Sequence, residues 1–126
     1  MLASGTAVLL IVVVLLRTVE ARLDVARRRE ALLATLERLS EAQEDALARD
    51  GRYASHLAAS GGVDTAQFVP TRGLVLKFEP RGPSSWRAVV RDTALQVGPR
   101  TCGLFRGDPE ASPHRAVVSP GNPACW

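Results

Sequence analysis

The sequence has little of what chemistry is usually built from. Its 126 residues include two histidines, two cysteines, one methionine and one lysine, Lys77, and aromatics make up only 5%. His56 and His114 have no carboxylate or cysteine at metal-ligand spacing, so both are expected at the surface or in packing. No nucleophile motif, glycine-rich phosphate loop or catalytic carboxylate pair is present, so no enzymatic activity and no cofactor or metal is expected. With so few lysines, the net charge of +3 is carried almost wholly by arginine. Arg72, Arg81, Arg87, Arg91, Arg100, Arg106 and Arg115 could line a phosphate-binding surface. Only Trp86 and Phe105 interleave with them, which leaves a DNA- or ligand-capturing tip protein as a third option, and nucleic acid is not expected as a partner.

Charge and proline are both missing from Leu2 to Leu16, and this organises the rest of the chain. The first fifty residues read as one helix, apolar at first and amphipathic afterwards. The uncharged run is about 23 Å long at 1.5 Å per residue, against about 30 Å for a bilayer core. It spans if the N-terminal amine reaches one interface, Arg17 snorkels to the other, and Thr18 and Val19 add half a turn. Residues 1–19 are therefore expected as a transmembrane segment anchored by Leu9, Leu10, Ile11, Val12, Val13, Val14, Leu15 and Leu16. The alternative is a cleaved signal peptide ending near Val19-Glu20-Ala21, disfavoured because no positive residue precedes the run.

Residues 20–50 continue the helix amphipathically. Leu32, Leu36, Leu39 and Ala46 share a stripe, with Leu33 and Leu47 beside it, while Glu30, Glu37, Arg38, Glu41 and Glu44 take other faces. The heptad is not sustained, so the stripe is expected against the chain's own head rather than in a coiled coil. Asp24 with Arg28 and Asp45 with Arg49 are spaced for i, i+4 ion pairs. The carboxylates of Glu37, Glu41, Glu44 and Asp45 are expected on the solvated side. Gly51 ends the helix. Arg27, Arg28 and Arg29 are candidates for contact with lipid headgroups or an acidic neighbour, the plainer alternative being a solvated face.

Residues 51–126 are expected to form a small head. Tyr53 to Leu57 reads as an irregular turn. Leu74, Leu76 and Phe78 alternate with more polar residues over 74–79, and Trp86, Ala88 and Val90 do so over 86–91, predicting an antiparallel hairpin across 80–85. Further strands are expected over 101–106 and 114–119. The fold class is α+β: a long N-terminal helix, membrane-spanning then amphipathic, packed on an antiparallel sheet of three to four strands. The seam between them comprises Leu32, Leu36, Leu39 and Leu47 against Leu74, Leu76, Phe78 and Trp86.

Cys102 and Cys125 flank a loop rich in proline and glycine, and a bridge between them would contribute about 3 kcal/mol by the chain-entropy account. Two unpaired buried thiols are the alternative. A bridge implies an oxidising compartment, whereas the arginines following the apolar run favour a cytoplasmic head by the positive-inside tendency. The cysteines are given more weight, placing the chain in the cytoplasmic (inner) membrane as a single-pass protein with its head in the periplasm or outside.

Gln43-Glu44 leading to Gly51-Arg52-Tyr53-Ala54, the Gly73-Leu74-Val75 strand, Trp86-Arg87-Ala88, Thr101-Cys102-Gly103-Leu104 and the terminal Pro123-Ala124-Cys125 together resemble type IV pilins and pseudopilins. The resemblance covers most of the chain from about Arg29 onward. It implies a ladle shape, a disulfide-closed last loop and a head outside the cytoplasmic membrane. The family's start, a basic leader followed by a run with glutamate at its fifth position, is not matched, since the fifth residue here is Gly5. The expectation is thus a non-catalytic accessory subunit bracing a multi-subunit membrane complex, such as a photosynthetic, respiratory or secretion assembly, with membrane lipid and other subunits as partners. A minor pilin or pseudopilin of a pilus or secretion filament is the alternative.

Overall fold

The computed structural model describes residues 2–126, with side chains from Gly5 onward. Helix α1 runs unbroken over Leu2–Asp50, 49 residues or about 74 Å. No proline or glycine lies between Thr6 and Asp50 to kink it. At Gly51 the backbone turns left-handed, with φ of 75°, and its N–H returns to the Leu47 carbonyl at 2.8 Å, which closes the last turn.

Among the described residues, no helix is long and apolar enough to cross a membrane. This corrects the expected transmembrane segment over 1–19 and the single-pass inner-membrane placement that rested on it. The physical reason is length and charge. From Gly5 to Leu16 the uncharged helix covers about 18 Å, well short of the roughly 30 Å of a bilayer core. Extending it forward takes in Arg17, Glu20 and Arg22 within two turns. Met1 and the side chains of Leu2 to Ser4, which the expected segment also included, lie outside the described residues.

The head is a four-stranded antiparallel sheet and a smaller two-stranded one. Strands β3 (Leu74–Pro80), β4 (Trp86–Asp92), β5 (Thr101–Arg106) and β6 (Ala124–Cys125) pair in that order. The β3–β4 hairpin sets Phe78 opposite Ala88 and Leu76 opposite Val90. One face of this sheet packs on α1. Leu32, Leu36 and Leu39 are fully buried against Trp86, Ala88, Val90, Cys102 and Leu104, with Leu74, Leu76 and Phe78 partly buried around them. Leu47 is half-buried beyond this cluster, and Ala46 joins Ala54 and Ala66 in a second one. The opposite face is covered at β5 by the C-terminal segment, where Phe105 is enclosed with Ala111 and Val117.

Two expected elements differ. The segment taken for an irregular turn enters a strand, β1 (His56–Ala58), which pairs in parallel with β2 (Thr65–Gln67). The strand expected over 114–119 is instead a bend, because its backbone groups are satisfied locally. Val117 N–H donates to the His114 carbonyl, Ala116 N–H to His114 Nδ1, and the Ser112 hydroxyl to the carbonyls of His114 and Val117. The fourth strand is the short β6, whose Cys125 pairs in register with Cys102.

Candidate functional site

The feature that stands out is an uncovered helix surface. Val8, Leu9, Leu10, Ile11, Val12, Val13, Val14, Leu15 and Leu16 are each 39 to 65% exposed, and Val19 and Leu23 extend the apolar surface toward the head. Nine consecutive residues make two and a half turns at 3.6 per turn, so apolar side chains occupy every side of this stalk. A helix that is apolar all round is a helix that gets buried. Nothing among the described residues buries it.

The other half of α1 is fixed to the head by polar contacts as well as by the leucine stripe. Gln43 is fully buried and holds Ala54 at both ends, with Nε2 donating to its carbonyl at 3.0 Å and Oε1 accepting its N–H at 2.9 Å. Thr35 is also buried. Its hydroxyl donates to the Ala31 carbonyl and lies 2.6 Å from the Thr71 hydroxyl, which in turn accepts from Arg38 Nη2. Near the helix end, Tyr53 donates to Glu44, and Arg106 Nε sits 3.6 Å from the same carboxylate, an ion-pair distance beyond hydrogen-bond range. Burial, followed by the Glu44 hydrogen bond, pushes the Tyr53 phenol above its ordinary value. Glu44 is thus half-buried and engaged, where the sequence placed it on the solvated side.

Where the stalk leaves the head, two of the three consecutive arginines hold the loop between β4 and β5. Arg28 Nη1 reaches the buried Asp92 carboxylate at 3.3 Å while its Nε bonds Asp24. The hydrogen bond that Arg28 donates to Asp92, and then the one it donates to Asp24, raises the Arg28 pKa above its ordinary value. Asp92 also accepts the Ala94 N–H at 3.0 Å, so one carboxylate both shapes the loop and receives the helix. Arg29 donates through Nη2 to the Gly98 carbonyl. Arg27 is exposed. Of the triplet expected at headgroups or a partner, Arg28 and Arg29 are therefore engaged with the chain's own head. The expected Asp24–Arg28 pair is present, whereas Arg49 pairs with Asp50 at 2.8 Å rather than with Asp45.

At the far end of the sheet, Cys102 and Cys125 form a disulfide, and there is no free cysteine. Beside it, Trp126 lies against Gly103, where a β-carbon would come within 2.7 Å of the indole, and stacks on the His114 ring at 4.2 Å. His114 is thus a packing residue, and His56 is exposed. Among the described residues, no group of three or more histidine, cysteine or acidic side chains is placed to hold a metal ion.

Sequence reasoning found the leucine stripe and the hairpin but missed Gln43, Thr35 and Asp92. Each is a polar residue on a buried face whose partner lies 11 to 64 residues away. The only local signal was Gln43 falling between Leu39 and Ala46 on the apolar stripe. No family model, curated protein or solved structure matches the chain.

Proposed function

We propose that this protein is a non-catalytic structural subunit of a larger multi-subunit assembly. Its stalk packs among helices of other subunits, and its disulfide-closed head braces its neighbours. The observation that carries this is the stalk itself: Val8 to Leu16, apolar on every side and uncovered, at the end of a helix whose other half is fixed to a folded head. An uncovered apolar surface that runs all round a helix marks an interaction site. An occupant on one side would leave the other sides wet, so several helices around the stalk suit it better than one.

A second role, as a pilin or pseudopilin of a filament, is favoured by a separate observation. A single long helix with its C-terminal half on an antiparallel sheet, and a disulfide tying the last strand, is the architecture which the sequence resemblance implies.

Electron microscopy of the assembly isolated gently through a tag after Trp126 tests both. Discrete particles holding other proteins in fixed ratio are expected for the bracing subunit, and fibres of constant diameter for the filament. Isolated single chains would overturn both. In the same preparation, Ile11→Arg with Val14→Arg should release the chain from its partners while leaving Trp86 fluorescence native, because the substitutions lie on the stalk and outside the head.

A further inference from the structure

The neck of the molecule carries an apolar groove of about 370 Å³ between α1 and the β4–β5 loop. Ala21, Val25 and Ala26 of the helix and Val97 of the loop line it, together with Arg22 and Arg29. Val97 is 60% exposed, and small side chains on the helix let another backbone approach closely. Arg29 gives Nη2 to Gly98, but its Nε is buried without an acceptor among the described residues. Arg22 is exposed and forms no ion pair among them. The local charge is positive: Arg17, Arg22, Arg27, Arg28 and Arg29 stand near Glu20, Asp24, Glu30 and Asp92, and both Asp24 and Asp92 are already held by Arg28.

We propose that this groove seats an apolar helix of a different subunit, and that this helix carries an aspartate or glutamate whose carboxylate meets Arg22 and Arg29. The proposal rests on the assembly role above and names the chemistry of the partner. The apolar walls select an apolar occupant, and the arginines select its one charge. A carboxylate gives the exposed, unpaired Arg22 a partner beside the Arg29 charge, and in a groove desolvated by docking a neutral or basic residue at that place is rejected. The groove also continues into the uncovered stalk. From Val8 to Arg29 the helix offers about 32 Å of surface, so a straight partner helix lying in the groove covers one side of the stalk as well. Charge thereby fixes the register of a contact that apolar side chains alone leave free to slide.

The test places a photo-crosslinking residue at Val97 in the full chain, in its native cells, and sequences the segment captured. The expected segment belongs to another protein, is apolar over about three helical turns, and has an Asp or Glu within about one turn of the crosslink. Arg22→Gln lowers the yield by about tenfold. This is the cleaner variant, since Arg22 makes no ion pair with the head among the described residues, whereas Arg29→Gln also removes the Gly98 bond. Arg22→Glu abolishes capture, and changing the partner's carboxylate to arginine restores it. Capture of the chain's own second copy, of lipid alone, or of a segment without an acid overturns the proposal, as does a yield indifferent to Arg22. A second probe at Leu10 separates the two roles. If Leu10 captures a partner and Val97 does not, the groove proposal fails and the assembly role stands; if neither does, both fail.

Discussion

Gln43 shows how much one buried amide fixes. Its two ends saturate the backbone of Ala54, the first buried residue after the helix ends, and so set where the chain enters the head. Truncation leaves both backbone groups of Ala54 without partners in a dry place. Gln43→Ala is expected to destabilise the head by about 2 kcal/mol, read from urea unfolding followed by Trp86 fluorescence. An unchanged midpoint would mean that water replaces the amide. The sequence pointed to this side of the helix but not to this role. Periodicity ranks positions by apolarity, and a glutamine on the stripe reads as a gap in it. The same holds for Asp92, whose partner Arg28 is 64 residues away and which looks like an ordinary strand-end carboxylate.

Elements with a repeating local pattern were legible, and those made by long-range or local polar bonding were not. The β3–β4 hairpin follows from alternation, and the structure extends the strands by one residue at Pro80 and at Asp92. The bend at 114–119 has strand-like composition, yet Ser112 and His114 take up the groups a strand would have offered. β1 and β2 are three residues each, too short for any period to show. The hairpin carries a charge pair on its outer face, where Arg87 Nε donates to Glu79 at 2.6 Å and Lys77 lies 3.2 Å away. The hydrogen bond from Arg87, and then that from Lys77, holds the Glu79 carboxyl below its ordinary value. A carboxyl depressed by folding contributes stability above its unfolded pKa and loses it as pH falls through the folded one. Stability should therefore drop less steeply from about pH 6 to about pH 3 in Glu79→Gln than in the parent, with the two converging at the acid end. Parallel curves would show that the pair is inert. Asp50 and Asp64, depressed by Arg49 and by the Ser55 hydrogen bond, give the acid dependence that remains in the variant.

At the scale of the whole molecule, a light head depends on a covalent closure. β6 has only two residues, and its few backbone bonds to β5 are reinforced by the disulfide from Cys125 to Cys102, 23 positions apart. Cys125→Ser should cost about 3 kcal/mol, measured by urea unfolding, and should free Trp126 from Gly103. The unmodified protein, denatured without reductant, should show no thiol to a labelling reagent. The α+β organisation, with one helix over one sheet, was legible because the leucine stripe supplies the long apolar face that the inward residues of β3 and β4 require. The expected spanning segment is overturned because its length relied on flanking residues to extend an apolar run that stops at Arg17.

The absence of any break in α1 has a mechanical consequence. The chain is a lever with its fulcrum at the Arg28–Asp92 contact. The stalk from Val8 to Arg28 forms one arm of about 30 Å, and the helix from Arg28 to Asp50, bolted along the sheet, forms another of about 33 Å. A tilt imposed on the stalk would meet no proline or glycine hinge between Thr6 and Asp50. It would reach the head first at the Arg28–Asp92 contact, where the helix meets the end of β4.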